Sequence, residues 1–115
     1  MIQIKRIYEK PSYNDGCRVL VDRLCPRGVA KQDAALDGWC KSIAPSADLR
    51  KWLHDDMSRR WREFRSRYKE ELREVDEELD RLAETASDSG LTLLTAAKDQ
   101  ERNHAVVLKD FLDRK

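Results

Sequence analysis

The spacing of apolar residues between positions 57 and 84 limits what this chain can fold into more than any other feature. Trp61, Phe64, Tyr68, Leu72, Val75, Leu79 and Leu82 recur at intervals of 3, 4, 4, 3, 4 and 3, which is the stripe of an amphipathic helix. Glu63 with Arg67 and Glu77 with Arg81 add pairs four residues apart, acid first, the more stabilising orientation. A straight helix over residues 57–84 would run roughly 40 Å, whereas a domain of this size has a radius of gyration near ~13 Å. The helix must therefore kink, overhang the domain or meet a partner. Its charge order is also unusual. Arg59, Arg60, Arg62, Arg65, Arg67 and Lys69 come first, followed by Glu70, Glu71, Glu74, Asp76, Glu77, Glu78 and Asp80. That order opposes the helix dipole, at a cost on the order of a few tenths of a kcal/mol per residue near each end. A solvated charged face explains it most simply; a basic end facing phosphates, or antiparallel pairing with a second copy, are the functional alternatives.

Strand-like segments flank this stripe. Residues 2–8 alternate as a first strand, and Asn14-Asp15-Gly16 has the composition of a turn. Residues 17–24 form a second strand, whose continuous apolar centre, Val19-Leu20-Val21, fits burial on both faces. A short helix is expected near residues 34–39. A better one follows, with Ser46 as its cap, Asp48 in its first turn and Leu49, Trp52 and Leu53 on one face. Residues 91–97 read as a third strand, and Asp99 can cap a last helix running to Leu112. The order is β-β-α-α-α-β-α. The second and third strands, joined through helices, should be parallel with a right-handed crossover. The expected fold class is α/β: one small domain over residues 1–115, with a short, mainly parallel sheet of about three strands flanked by helices.

Composition narrows the class further. The chain has 115 residues, 39% charged and 40% hydrophobic, which excludes collagen-like and low-complexity polymers. No apolar run approaches the ~20 residues needed to cross a bilayer. Residues 1–6 alternate like a strand and lack the apolar core of a signal peptide, so a cytoplasmic location and no membrane partner are expected. The net charge of +1 conceals a division: residues 1–69 carry +7 and residues 70–115 carry −6. A basic part can bind an anion even where the whole is neutral. Cys17, Cys25 and Cys40 include no CxxC pair, and their odd number argues against a disulfide framework.

In an open α/β sheet, ligands sit beyond the carboxyl ends of the strands. The segments there are residues 22–28 and 97–104, which bring Arg23, Arg27 and Lys98 to one rim beside the start of the last helix. Free N–H groups at a helix start favour an anion, and arginine adds forked donors matched to phosphate or carboxylate. Asp22 is placed to orient an arginine or act as a base; the alternative is that it only balances buried charge. His104, in the first turns of the last helix, is a candidate for acid–base work; the alternative is a packed helix histidine. Arg50 is a further candidate from the Ser46 helix.

His54-Asp55-Asp56 cannot all point inward, so no metal site is expected. Cys17 and Arg23 have the spacing of thiol phosphatases, but the five residues between them read as strand and not as a phosphate loop. Cys25 lies between Arg23 and Arg27, where positive charge would lower a thiol pKa; a buried, inert thiol is the commoner state.

Several of these segments resemble one family. They are Lys5-Arg6-Ile7-Tyr8, the block from Asp15 to Gly28 that reads DGCRVLVDRLCPRG, and residues 44–54. Trp61-Arg62-Glu63-Phe64, Tyr68-Lys69-Glu70-Glu71-Leu72, residues 91–99 and residues 103–108 complete the set. Together they resemble the YeaO-like branch of the DUF488 family, in order and over nearly the whole chain. The resemblance implies a small bacterial or archaeal cytoplasmic α/β protein and supplies no reaction. The family pattern usually has an aromatic residue at Cys17 and a tryptophan at Cys25, so it lends neither thiol a catalytic role. Larger relatives carry a cysteine and a glutamate at the end of the last strand and a Cys-His-Arg triplet in the following helix. The matching positions here are Thr95, Ala97 and Asn103-His104-Ala105, so only His104 carries over.

Two functions are therefore expected as alternatives. In the first, the strand ends form an anion-binding pocket for a small phosphorylated or carboxylated ligand. Arg23, Arg27, Lys98 and Arg50 hold the anion there, and Asp22 and His104 are available to move protons. In the second, the chain is a non-catalytic interaction module, forming a homodimer or binding a partner or nucleic acid through the basic half of residues 57–84. Exposed aromatics for base stacking are not evident, because Trp61, Phe64 and Tyr68 lie on the apolar stripe. No cofactor follows from the sequence.

Overall fold

A computed structural model of the chain describes residues 2–24 and 35–115. Among the described residues, apolar residues alternating with helical stripes build four strands, β1 (Ile2–Arg6), β2 (Cys17–Leu20), β3 (Gly38–Trp39) and β4 (Leu91–Thr95), and four helices. The helices are α1 (Ala47–Asp55), α2 (Met57–Arg73), α3 (Asp76–Ser89) and α4 (His104–Asp113). The strands lie in the order β1-β4-β2-β3, and every pairing is parallel. This is the α/β class expected, with β4 in the interior of the sheet and buried along its length.

One strand replaces an expected helix. Residues 34–39 do not coil into a helix where they are described: Gly38–Trp39 pair with β2. The backbone explains this, because Asp37 N donates to Arg18 O at 2.8 Å and Cys40 N to Leu20 O at 3.0 Å. The Asp37 carboxylate also accepts from Arg18 N, and the Trp39 indole donates to Asp22 O at 2.7 Å. The ladder and these anchors outweigh a weak local helical preference.

The long stripe does bend. The helix breaks at Glu74 and Val75, between α2 and α3, with no proline or glycine there. The break lets Phe64, Tyr68 and Leu72 on one segment and Leu79, Leu82 and Ala86 on the next all reach the same core. It also removes part of the dipole conflict, because Asp76, Glu77 and Glu78 become the first turn of α3, the end where acids are stabilising.

All four helices pack on the sheet face that carries Ile2, Ile4, Val19, Leu91 and Leu93. The other face holds a smaller apolar cluster of Ile7, Leu20 and Leu94 with Leu36, Trp39 and Ala96. Next to it, Lys5 and Arg18 meet Asp15 from the turn before β2. Gly16 closes that turn at φ +65°, and a Cβ there would lie 2.6 Å from the backbone oxygens of Ser89 and Gly90. Only glycine fits so close an approach. No helix among the described residues is long and apolar enough to cross a membrane.

Candidate functional site

Beyond the carboxyl ends of β2 and β4 lies a cavity of about 400 Å³. Asp22, Arg23, Arg50, Lys98 and His104 all line it. The parallel topology brings Asp22 and Lys98 to one rim, as the strand order requires. Arg27 and Cys25 lie outside the described residues.

The site is built around Asp22. Its Oδ1 accepts from Thr95 Oγ1 at 2.7 Å and lies 3.0 Å from His104 Nε2. Its Oδ2 accepts from Ala96 N at 2.8 Å. Burial pushes the Asp22 carboxyl up, but the hydrogen bond and charge of His104, with those from Ala96 and Thr95, outweigh it and hold the group below its usual range. Asp22 is thus a fixed carboxylate and a weak base. His104 Nε2 also lies 3.1 Å from Val21 O. With acceptors on both contacts, Nε2 is the nitrogen that donates to them. The His104 ring meets the edge of Tyr68, centroids 6.3 Å apart. Tyr68 is fully buried and donates its hydroxyl to Ile43 O at 2.6 Å, and burial pushes its phenol far up.

The loop between β4 and α4 is locally determined. Asp99 does not cap the last helix, as its spacing suggests; its Oδ1 accepts from Glu101 N and Arg102 N, both at 2.9 Å. Asn103 is the actual cap, accepting from Val106 N at 3.1 Å and donating to Asp99 O at 2.8 Å. Asparagine is as good a cap as aspartate, and its amide also ties the loop down. Arg6, at the end of β1, braces the same loop by donating to Ala97 O and Ala96 O.

The cations divide into two groups. Arg23 donates through Nε and Nη2 to Pro45 O at 3.3 and 3.2 Å, so much of its fork holds the chain entering α1. Ser46 caps that helix through Leu49 N and is itself held by Glu71. Arg50, Lys98 and Arg102 are exposed, and among the described residues none of the three has an ion pair or side-chain hydrogen bond. The wall between them is mostly apolar, with Ala44, Leu53, Met57, Phe64, Ala96 and Ala97.

Sequence reasoning gives no role in the site to Thr95, Arg102 or Met57, and Thr95 enters only as the position where larger relatives carry a cysteine. Thr95 and Arg102 lie within or beside the strand-end segment that drew attention to Lys98, so their position was the available signal. Met57 had none, because it reaches the cavity from a helix start distant in sequence. No group of three or more potential metal-ligating His, Cys, Asp or Glu side chains gathers among the described residues.

The geometry defines a parallel α/β domain with a cation-rimmed cavity at its strand ends. The profile of DUF488-N3i, described as the inactive DUF488-N3 subclade, matches residues 1–115, and the chain belongs to that family. It is 48% identical over 111 residues to the uncharacterized protein YeaO of Escherichia coli K12, covering 96% of each chain. It is 41% identical over 112 residues to the uncharacterized protein Rv3073c of Mycobacterium tuberculosis, covering 97% of this chain and 93% of that one. No solved structure matches the chain significantly.

Proposed function

We propose that the cavity binds a small molecule through a phosphate or carboxylate group, and that the domain works by binding and not by turning the ligand over. One observation carries this reading: Arg50, Lys98 and Arg102 come from α1 and the β4–α4 loop to one cavity, where Asp99 beside Arg102 is the one exposed carboxylate among its described lining residues, so positive charge is in excess there. An anion at that rim would receive charge-assisted hydrogen bonds with little desolvation of the exposed cations. Asp22 serves as the post that fixes His104 and the loop, since its oxygens are already occupied. The family description as inactive supports binding over turnover. So do Thr95 and Ala97, which stand where larger relatives resembling this chain carry a cysteine and a glutamate.

The basic half of α2 offers less free charge to a polyanion than its sequence suggests. Arg59 pairs with Asp56, Arg60 with Asp55, Arg67 with Glu63 and Lys69 with Asp110. This favours the cavity over the helix as the anion site.

The test is thermal unfolding at fixed ionic strength with inorganic phosphate replacing chloride. Phosphate should raise the melting temperature of the parent chain, and the double variant Arg50→Ala, Lys98→Ala should lose most of that gain while melting normally in chloride. No phosphate effect on the parent, or an equal effect on both proteins, contradicts the proposal.

A further inference from the structure

We infer that the ligand of this cavity is an amphipathic anion, a carboxylate or phosphate attached to an apolar body, and not a sugar phosphate or a nucleotide. The inference rests on the anion-binding reading above and adds what lies behind the charged group.

At the mouth stand the exposed cations Arg50, Lys98 and Arg102. Inside, the wall is carbon: Leu53 and Phe64 are buried core residues, and Met57, Ala96 and Ala97 are partly buried. The polar groups inside are engaged with one another. Thr95 Oγ1 donates to Asp22 Oδ1 and accepts from Ala97 N. Asp22 Oδ2 takes Ala96 N, and His104 Nε2 is held between Asp22 and Val21 O. A ribose or a base carries several hydroxyls or ring nitrogens, each of which would lose water on entering, while Asp22, Thr95 and His104 Nε2 are already engaged. Leaving a buried polar group unmatched is costly. An alkyl or aryl body has no such penalty, and a site lined mostly by apolar groups with a few placed charges is the usual form of a small-molecule pocket.

Charge complementarity fixes the orientation, with the head at the rim and the body against Met57, Leu53 and Phe64. Met57 opens α2 and is an unbranched, adaptable side chain that fits irregular apolar ligands.

The experiment holds the head constant and lengthens the body. Acetate, butyrate, hexanoate, octanoate and inorganic phosphate are titrated into the intact chain by calorimetry. The same series is run on Met57→Glu, on Ala97→Leu and on the double variant Arg50→Ala, Lys98→Ala. Affinity should rise roughly fourfold per added methylene until the cavity is filled. The rise should flatten in Ala97→Leu, which narrows the cavity, and vanish in Met57→Glu, whose new carboxylate sits well in a first helical turn. The double variant should weaken every member of the series.

If phosphate and acetate bind as tightly as octanoate, the amphipathic assignment falls while the anion site stands. If none of the probes binds, both fall. If octanoate binds the double variant as well as the parent, uptake does not use the rim and the inference is overturned. Ala97→Leu keeps the test decisive should Met57→Glu fail to fold.

Discussion

Two aspartates flank β2, Asp15 before it and Asp22 after it, and their surroundings differ in one respect. Asp15 is 2% exposed and accepts from Lys5 Nζ at 3.1 and 3.2 Å, from Ser12 N at 2.9 Å and from Arg18 Nη1. Thr92 Oγ1 adds a bond to its backbone oxygen. Both cations that reach Asp15, Lys5 and Arg18, are paired with it. At the Asp22 end the carboxylate is satisfied as fully, by Thr95, Ala96 and His104, yet three exposed cations, Arg50, Lys98 and Arg102, share that rim with the single exposed carboxylate of Asp99, which faces Arg102. A buried charge therefore does not mark a site. A local surplus of one sign beside a cavity does, because only the surplus is left for a ligand.

The comparison can be broken most forcefully at its closed end. Asp15→Ala removes the carboxylate that pairs with the buried Arg18 and the half-buried Lys5, and loss of one partner of a buried pair typically costs about 3–5 kcal/mol. Chemical denaturation should register a loss of that order, and a change below about 1 kcal/mol would mean that the cluster is not the closed network described.

Asp22→Asn should cost less, on the order of 1–3 kcal/mol for weakened buried hydrogen bonds, and its pH dependence sharpens the contrast. Burial raises both carboxyls, but hydrogen bonds and neighbouring charge win, so each titrates below the ordinary 3.8. A depressed native pKa contributes stability that is present above the unfolded value and lost as pH falls through the native one. The parent should therefore lose stability as the pH drops from about 4, and Asp15→Asn and Asp22→Asn should each flatten that acid limb. An unchanged limb in both variants refutes the assignment.

Arg23→Ala should have a smaller effect, about 1 kcal/mol, through loss of its bonds to Pro45 O. It should weaken phosphate binding only in part. Complete loss would return Arg23 to the role of principal anion ligand that its sequence position suggests.

Strand starts and the Ser46 cap were legible in the sequence, whereas β1, β2 and β4 end at Arg6, Leu20 and Thr95, short of the expected positions 8, 24 and 97, and Asn103 caps α4 in place of Asp99. Ser46, the turn at Gly16, the apolar strands and the stripe on residues 57–84 all lie in short windows with a clear period. Asp22, Lys98 and His104 follow from one further step, the parallel crossover that brings the ends of β2 and β4 together. What escaped depended on contacts distant in the chain. The pairing of Gly38–Trp39 with β2 is an edge-strand choice made with Arg18, Leu20 and Asp22, all distant in sequence. The break at Val75 reflects the core shared by α2 and α3 and has no breaker residue to announce it. Arg23 illustrates the same limit, since nothing near it in sequence says that Pro45 O will claim its guanidinium.

The central claim, that free positive charge at the Asp22 end and not the Asp15 end is what the fold presents to a ligand, is tested most directly by amide chemical shifts during a phosphate titration at constant ionic strength. The account predicts saturable shifts at residues 98–104 and around Arg50, with Lys5, Asp15, Arg18 and Thr92 unmoved. Shifts centred on α2 at Arg59–Lys69, or an unresponsive residue 98–104 segment, would contradict it.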